Sequence, residues 1–183
     1  MWPMLGPLPA YGLVYLVAFL AHYLVCWKIA RRSDLGWHVW ITVGVLGSLS
    51  STVGAKILHD IIHAQFNWHV LFSPRHYLAG GLWGGLLVYF ALVVPVVLLL
   101  TRKKWAALDL VALSLPIPSI LAKLGCLLHG CCYGRPTSLP WAIVFPEGSR
   151  GAPPGILLHP TQIYEMLVMA IILLVFRRLD ANR

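Results

Sequence analysis

The chain has 183 residues, of which 59% are hydrophobic and 11% charged, with a formal net charge of +8 at pH 7. Soluble globular domains carry about 25% charged residues, so this composition excludes an ordinary soluble protein, and its high apolar content excludes a disordered chain. At about 20 residues for each apolar span, a chain of this length holds about five transmembrane helices and no separate soluble domain.

Five apolar stretches follow one another along the chain, and each predicts a transmembrane helix. They cover residues 8–27, 37–62, 79–101, 106–128 and 160–176. The first stretch has no basic segment before it and no small-residue cleavage site, so we expect a permanent helix and not a cleaved signal peptide. The sequence therefore predicts a single all-α integral membrane domain over residues 1–183.

The positive charges are concentrated on one side of the predicted spans. Clusters after the first, third and fifth spans contain nine of the fourteen basic residues, namely Lys28, Arg31, Arg32, Arg102, Lys103, Lys104, Arg177, Arg178 and Arg183. The opposite side carries Arg75, Arg135 and Arg150. The positive-inside rule then places the N-terminus outside and the C-terminus in the cytoplasm. The net charge thus indicates topology, and we expect no nucleic-acid partner.

The second span contains ionisable side chains near its predicted outer end. Lys56 and Asp60 lie four residues apart, which fits either a self-neutralising pair inside the bundle or functional polar groups. His59 and His63 have the spacing of two metal ligands on one helix face. A haem site would need histidines at matched depth on a second helix, and the sequence offers none. We therefore expect no metal site and no cofactor.

The third span opens on the run Gly80-Gly81-Leu-Trp-Gly84-Gly85. Small residues at a span end allow other backbones and a lipid headgroup to approach closely. The run at 80–85 is therefore a place that a lipid headgroup can approach closely.

The fourth span ends in Gly-Cys-Leu-Leu-His-Gly-Cys-Cys-Tyr-Gly-Arg-Pro-Thr, residues 125–137. Its cysteines, Cys126, Cys131 and Cys132, lack the paired spacing that is typical of zinc sites. Two interpretations stay open, which are buried apolar thiols and a disulfide from Cys126 to one of the later pair on the oxidising side of the membrane. Lys123 and Arg135 flank the cysteine-rich turn at 126–132 as cations suited to a lipid phosphodiester.

A long Pro- and Gly-rich loop at 129–159 lies on the predicted outer face, before the last helix. Its apolar residues 141–145 predict a short strand or hairpin over the membrane surface. The run His-Pro-Thr-Gln-Ile-Tyr-Glu, residues 159–165, then starts the last helix with Pro160 near its first position. Gln162 and Glu165 lie three residues apart, so they share a polar face. Helix capping and tight packing explain the same residues equally well.

Taken in order, these motifs resemble the signature of the prolipoprotein diacylglyceryl transferases. The resemblance covers 122–137, 139–146 and 159–165, with weaker matches at 53–57 and 80–84. It implies a multi-pass enzyme of the bacterial inner membrane that transfers the diacylglyceryl group of phosphatidylglycerol to the thiol of a prolipoprotein lipobox cysteine and releases glycerol 1-phosphate. Attack by a thiolate requires a base and fixed cations in a partly dry, lipid-accessible site.

The resemblance also implies roles for individual residues. The catalytic candidates are His129, His159, Tyr164 and Glu165. The substrate-binding candidates are Lys123, Arg135, Gly80, Gly81, Cys126, Gly134 and Gln162. We prefer His129 to His76 as the base, because it stands on the signature turn and histidine has an unperturbed pKa of about 6.5. The rival interpretation is that His129 only hydrogen-bonds the long loop.

Four positions depart from the family pattern. Lys123 stands where an arginine is usual, and lysine keeps the charge but loses the bidentate geometry. Ala79 replaces a histidine, Leu158 a basic residue and Cys126 an asparagine. The departures leave alternatives, namely the same fold acting on another acceptor or phospholipid, a non-catalytic lipid-binding membrane protein, or a redox protein built on the cysteines. The expected partners are an anionic phospholipid, a prolipoprotein signal peptide or another thiol acceptor, and the membrane.

Overall fold

The computed structural model describes the backbone of residues 4–5, 8–62, 82–149 and 151–181. Its helices are α1 (Ala10–Arg32), α2 (Trp37–Ile41), a π-helical turn (Thr42–Leu46), α3 (Gly47–Ile62), α4 (Leu82–Leu100), α5 (Lys104–Ser114), α6 (Pro116–His129) and α7 (Thr161–Ala181). Its strands are β1 (Met4–Leu5), β2 (Leu8–Pro9), β3 (Ile143–Val144) and β4 (Leu157–Leu158), which pair as two antiparallel hairpins, β1 with β2 and β3 with β4.

Four helical segments of the described chain are long and apolar enough to cross a membrane: Ala10–Arg32, Trp37–Ile62, Trp83–Leu100 and Lys104–His129. They confirm a predominantly helical chain of the kind found in integral membrane proteins. Helix α7 is not among the four, because Glu165, Arg177 and Arg178 fall inside its 21 residues. Helices α1 and α7 also extend past the predicted ends at 27 and 176, since lysine and arginine are good helix formers.

The fourth predicted span, 106–128, was expected to be one helix and is built from two. Helix α5 ends at Ser114 and α6 begins at Pro116. Proline lacks an N–H donor and its ring obstructs the preceding turn, which separates the two helices. The Leu115 carbonyl accepts hydrogen bonds from the Ser119 backbone N–H at 3.1 Å and from the Ser119 hydroxyl at 2.8 Å. The interruption therefore leaves that carbonyl satisfied inside the apolar segment.

The residues group into two compact units, and one of them is Tyr23–Ala112. Within it, α3 packs on α4 through glycines, so that a Cβ on Gly84 would clash with the Gly54 carbonyl oxygen and one on Gly85 would lie 2.7 Å from the Ser51 carbonyl oxygen. Small residues at a helix crossing allow this close approach. Part of the Gly-rich run at 80–85 therefore serves helix packing, while Gly80, Gly81, Ala79, His76 and His63 lie outside the described residues.

The ionisable residues of α3 are buried in the same unit. Lys56 is 2% exposed and Asp60 is 5% exposed. Asp60 Oδ1 lies 3.3 Å from Nδ1 of His59. The polar groups that the sequence placed near the end of the second span thus face the protein interior.

The other unit comprises Met1–His22 and Leu113–Arg183. In it α6 packs on α7, and β3 pairs with β4 with Ile143 opposite Leu158. The predicted short hairpin in the loop at 129–159 is confirmed. Phe145, Ala152 and Leu158 are buried together beneath it. This small apolar core fixes the loop against the ends of α6 and α7.

Candidate functional site

The end of α6 turns sharply and returns the chain over its own last turn. Gly130 caps the helix at φ 78°, a left-handed conformation that glycine adopts without strain, and its N–H donates to the Cys126 carbonyl at 3.0 Å. Cys132 also has a positive φ of 61°, which is uncommon for a residue with a Cβ. As a result the sulfur atoms of Cys126, Cys131 and Cys132, here called the thiol cluster, all lie within 4.8 Å of one another.

The first turn of α7 holds the thiol-bearing turn in place. The fully buried Gln162 donates from Nε2 to the Cys131 carbonyl at 2.6 Å, and the Thr161 hydroxyl donates to the Cys132 carbonyl at 2.5 Å. The Gly134 N–H donates to the His159 carbonyl at 2.9 Å. A Cβ at Gly134 would lie 2.7 Å from the His159 Cβ, so the two segments meet where only glycine fits. The signature turn and the His-Pro motif are therefore one structure.

An ion pair joins α6 to α7 beside this turn. Lys123 Nζ lies 2.7 Å from Glu165 Oε2, and the Lys123 side chain is 13% exposed against 39% for Glu165. The pair brings a mostly buried cation to the side of the thiol cluster, with a carboxylate that is still reachable from outside. A charged pair of this kind can orient an anionic group that enters the site.

His159, Tyr164 and Trp141 form a hydrogen-bonded chain at the mouth of the long loop. Trp141 Nε1 donates to the Tyr164 hydroxyl at 2.7 Å, and that hydroxyl lies 3.2 Å from His159 Nδ1. Trp141 itself is 55% exposed. These hydrogen bonds fix the orientation of the His159 imidazole and join the loop to α7.

Helix α1 contributes two tyrosines that are not among the predicted site residues. The rings of Tyr11 and His129 are 4.9 Å apart between centroids, and those of Tyr11 and Tyr15 are 4.5 Å apart. A Cβ on Gly125 would lie 3.5 Å from both tyrosine rings. The available signal was the i,i+4 spacing of two hydroxyl-bearing aromatics in an otherwise apolar span.

The thiols of the turn are held in different electrostatic environments. Hydrogen bonds from the Cys126 and Cys131 thiols, followed by the Lys123 charge, hold the pKa of Cys132 well below its usual range. Hydrogen bonds with the same sulfur atoms, together with burial, raise the pKa of Cys131. Of these two residues, Cys132 is exposed and Cys131 is half-buried. The cysteines are thiols in the structure, and the disulfide considered above is not formed.

Most of the predicted site residues in the described chain converge on this place, namely Lys123, Cys126, His129, Gly134, His159, Gln162, Tyr164 and Glu165. Arg135 joins it through its carbonyl, which accepts from the His159 N–H at 3.1 Å, while its side chain is exposed. Gly80 and Gly81 lie outside the described residues. Leu158 is 1% exposed beside Phe145 in the core of the loop. A basic side chain in that orientation would be buried in apolar surroundings.

The sequence that builds this site matches a known protein family. The sequence pattern of the family described as prolipoprotein diacylglyceryl transferase matches residues 4–183. The chain belongs to this family.

Relatives support the assignment to the prolipoprotein diacylglyceryl transferases. A phosphatidylglycerol--prolipoprotein diacylglyceryl transferase of Bordetella bronchiseptica is 31% identical over 183 residues, covering 92% of this chain and 66% of the relative. Proteins of the same name from Mannheimia succiniciproducens and Clostridium tetani are 30% and 29% identical, covering 92% and 86% of this chain and 64% and 63% of their own lengths. The chain thus spans slightly less than two thirds of these relatives.

Proposed function

We propose that this protein transfers the diacylglyceryl group of phosphatidylglycerol to the thiol of a lipobox cysteine in a prolipoprotein. The observation that carries the proposal is the Lys123–Glu165 ion pair, 2.7 Å long, at the point where the two family motifs meet. A cation held there is suited to the phosphate of the donor lipid. Family membership and the names of the relatives supply the substrates.

The site residues fit a direct displacement. His129 accepts the proton of the acceptor thiol, and the thiolate sulfur attacks the glyceryl carbon that bears the phosphate ester. A carbon–sulfur bond forms as the carbon–oxygen bond breaks, and glycerol 1-phosphate leaves with the bonding electrons on its phosphate oxygen. Lys123 stabilises that charge. The proton on His129 then passes to solvent or to the departing phosphate.

Other residues position these groups. Glu165 holds the Lys123 ammonium, and Tyr164 orients His159 through the 3.2 Å contact at Nδ1. With Nδ1–H donating to the Tyr164 oxygen, His159 Nε2 is left as a hydrogen-bond acceptor for the glycerol headgroup or the thiol. Gln162 and Gly134 keep the turn in register with α7. Arg135, which is exposed at the surface, meets the headgroup from outside.

We further propose five membrane spans in the bacterial inner membrane, with α7 as the fifth. The basic clusters at Arg31, Arg102 and Arg177 then share the cytoplasmic side, and the site lies at the outer face, where prolipoproteins emerge. A fusion of green fluorescent protein to the C-terminus tests this topology. Fluorescence is expected because the C-terminus is cytoplasmic, and a dark but full-length fusion would contradict it.

Transfer is tested with purified protein in phosphatidylglycerol vesicles, a lipobox peptide and mass spectrometry of the peptide. We expect addition of one diacylglyceryl group for each cysteine. Lys123→Ala should lower the rate by at least about 100-fold, the loss typical for removal of one group that stabilises transition-state charge. Lys104→Ala is the matched control, since Lys104 is exposed at the start of α5.

The same variants also report in cells. The wild-type protein should restore growth and lipoprotein acylation to a strain depleted of its own diacylglyceryl transferase, and Lys123→Ala should not. Equal transfer by the wild-type and Lys123→Ala proteins would contradict the assigned role of the cation. An unmodified peptide with correctly folded wild-type protein would contradict the reaction.

A further inference from the structure

The thiol cluster of Cys126, Cys131 and Cys132 is not used by the displacement described above. Among the described residues, these three side chains are potential metal ligands, and their sulfur atoms all lie within 4.8 Å of one another. Cys126 is buried, Cys131 is half-buried and Cys132 is exposed, so the cluster opens to the outside on one side. We propose that these three cysteines form a three-thiolate binding site for Cu(I).

The spacing of the sulfur atoms suits a single metal ion. At a metal–thiolate bond length of about 2.3 Å, three sulfurs around a trigonal ion lie about 4.0 Å apart. The Cys131 and Cys132 sulfurs are 3.9 Å apart, and the other separations stay within 4.8 Å. Small side-chain rotations therefore close the cluster on an ion, with no change in the backbone.

The backbone of the cluster is arranged in advance. Gln162 and Thr161 hold the carbonyls of Cys131 and Cys132, and the Cys131 N–H donates to the Cys126 carbonyl at 3.1 Å. Outer contacts of this kind orient metal ligands and raise affinity. The sequence spacing alone gave no such indication, because adjacent cysteines do not form half of a zinc motif.

The chemistry of the donors selects the ion. Thiolates are soft ligands and favour Cu(I), whereas zinc sites usually complete a set of four ligands. Binding forms three copper–sulfur bonds and releases to the buffer every thiol proton that the cluster still holds. The resulting complex is anionic, and Lys123 is close enough for its charge to act on Cys126 and Cys132. The site needs no transferase activity, so its test is independent of the proposed reaction.

The test is a titration of fully reduced protein in detergent, under argon, with Cu(I) in the presence of the chromophoric chelator bicinchoninate. We expect the wild-type chain to take one equivalent of Cu(I) from the chelator. Since loss of even an outer-shell partner costs about 10- to 100-fold, each single change to serine in the cluster should weaken binding by at least about 100-fold. Cys26→Ser is the matched control, because Cys26 is a buried cysteine of α1 outside the cluster.

X-ray absorption of the loaded wild-type protein keeps the test decisive if a variant fails to fold. Three sulfur neighbours at one short distance support the site. Copper bound through nitrogen or oxygen would overturn the site, and so would equal binding by a variant that lacks all three cysteines. Displacement of Cu(I) by an equal concentration of Zn²⁺, or retention of Cu(I) by the chelator, would also overturn it. A loss of two titratable thiols in protein freshly purified from cells would also overturn it, because the cysteines would then serve as a disulfide.

Discussion

Lys123 Nζ and Glu165 Oε2 are 2.7 Å apart, and this ion pair links the two helices that carry the family motifs. The partners differ in burial, since the lysine side chain is 13% exposed and the glutamate side chain 39%. In the reaction proposed above, the donor phosphate and Glu165 share the Lys123 cation. Binding of the lipid and catalysis should respond differently when the carboxylate loses its charge.

Glu165→Gln is expected to lower the turnover rate by about 100-fold. This is the lower end of the rate losses that follow removal of a group acting in proton transfer. Phosphatidylglycerol binding should be unchanged or tighter, because Lys123 no longer pairs with a carboxylate. Single-turnover rates and lipid affinity in nanodiscs separate the two effects. Weaker lipid binding with unchanged turnover would show that Glu165 acts only in forming the site.

Tyr164→Phe removes the hydroxyl that connects Trp141 to His159. A hydrogen bond contributes about 1 kcal/mol, so we expect the transfer rate to fall about fivefold for every hydrogen bond that the variant removes, with the acceptor KM unchanged. Trp141→Phe keeps the hydrogen bond between Tyr164 and His159 and should give the smaller effect. The two variants are compared by their initial transfer rates with the lipobox peptide. An equal fall in rate for both variants would contradict the role of the Tyr164 hydroxyl in orienting His159.

The sequence predicted the apolar spans, because helix periodicity is a local property, and the family resemblance assigned residues of both the signature turn and the His-Pro motif to one site. It did not predict that the cysteines share one cluster, since this depends on the left-handed residues Gly130 and Cys132. It also missed Tyr11 and Tyr15, which reach the site through tertiary packing of a helix more than a hundred residues away. The proline at 116 indicated the break between α5 and α6, but the continuous apolar run favoured a single helix.

Gln162→Ala is expected to destabilise the protein by about 1–3 kcal/mol, because the Cys131 carbonyl loses its donor inside the packed end of α7. Thermal unfolding in detergent, followed by tryptophan fluorescence, measures the change. Leu167→Ala is the control, since Leu167 is 58% exposed on the same helix. A midpoint for Gln162→Ala equal to that of the control would mean that the turn is held without this amide.

Gly84→Ala and Gly125→Ala should change stability in opposite directions. A methyl group on Gly84 meets the Gly54 carbonyl across the α3–α4 crossing, and such overpacking costs about 1–3 kcal/mol. On Gly125 the nearest side-chain atoms are 3.5 Å away, an ordinary contact, so alanine gains the helix preference of about 0.5–1 kcal/mol. The unfolding midpoints of the two variants, measured side by side, decide the matter. A lower midpoint in Gly125→Ala would place its effect in the packing against the tyrosine rings.

Cys132 should remain reactive toward iodoacetamide at pH 6, whereas Cys131 should not. The pKa of Cys132 is lowered by hydrogen bonds from Cys126 and Cys131 and by Lys123, so its thiolate persists as the pH falls. The pKa of Cys131 is raised, and below its pKa a thiol loses about tenfold in thiolate for each pH unit. Mass spectrometry of the labelled peptides between pH 6 and pH 9 gives both rates.

Lys123→Ala should move the reactivity of Cys132 to higher pH, because removal of the ammonium raises the pKa of the thiol. The Lys104→Ala protein serves again as the control and should keep the wild-type profile. This experiment measures the effect of the Lys123 charge at the site without any lipid substrate. If the profile of Cys132 were the same in all three proteins, Lys123 would not act on the thiol cluster, and the proposed proximity of cation and sulfur would be wrong.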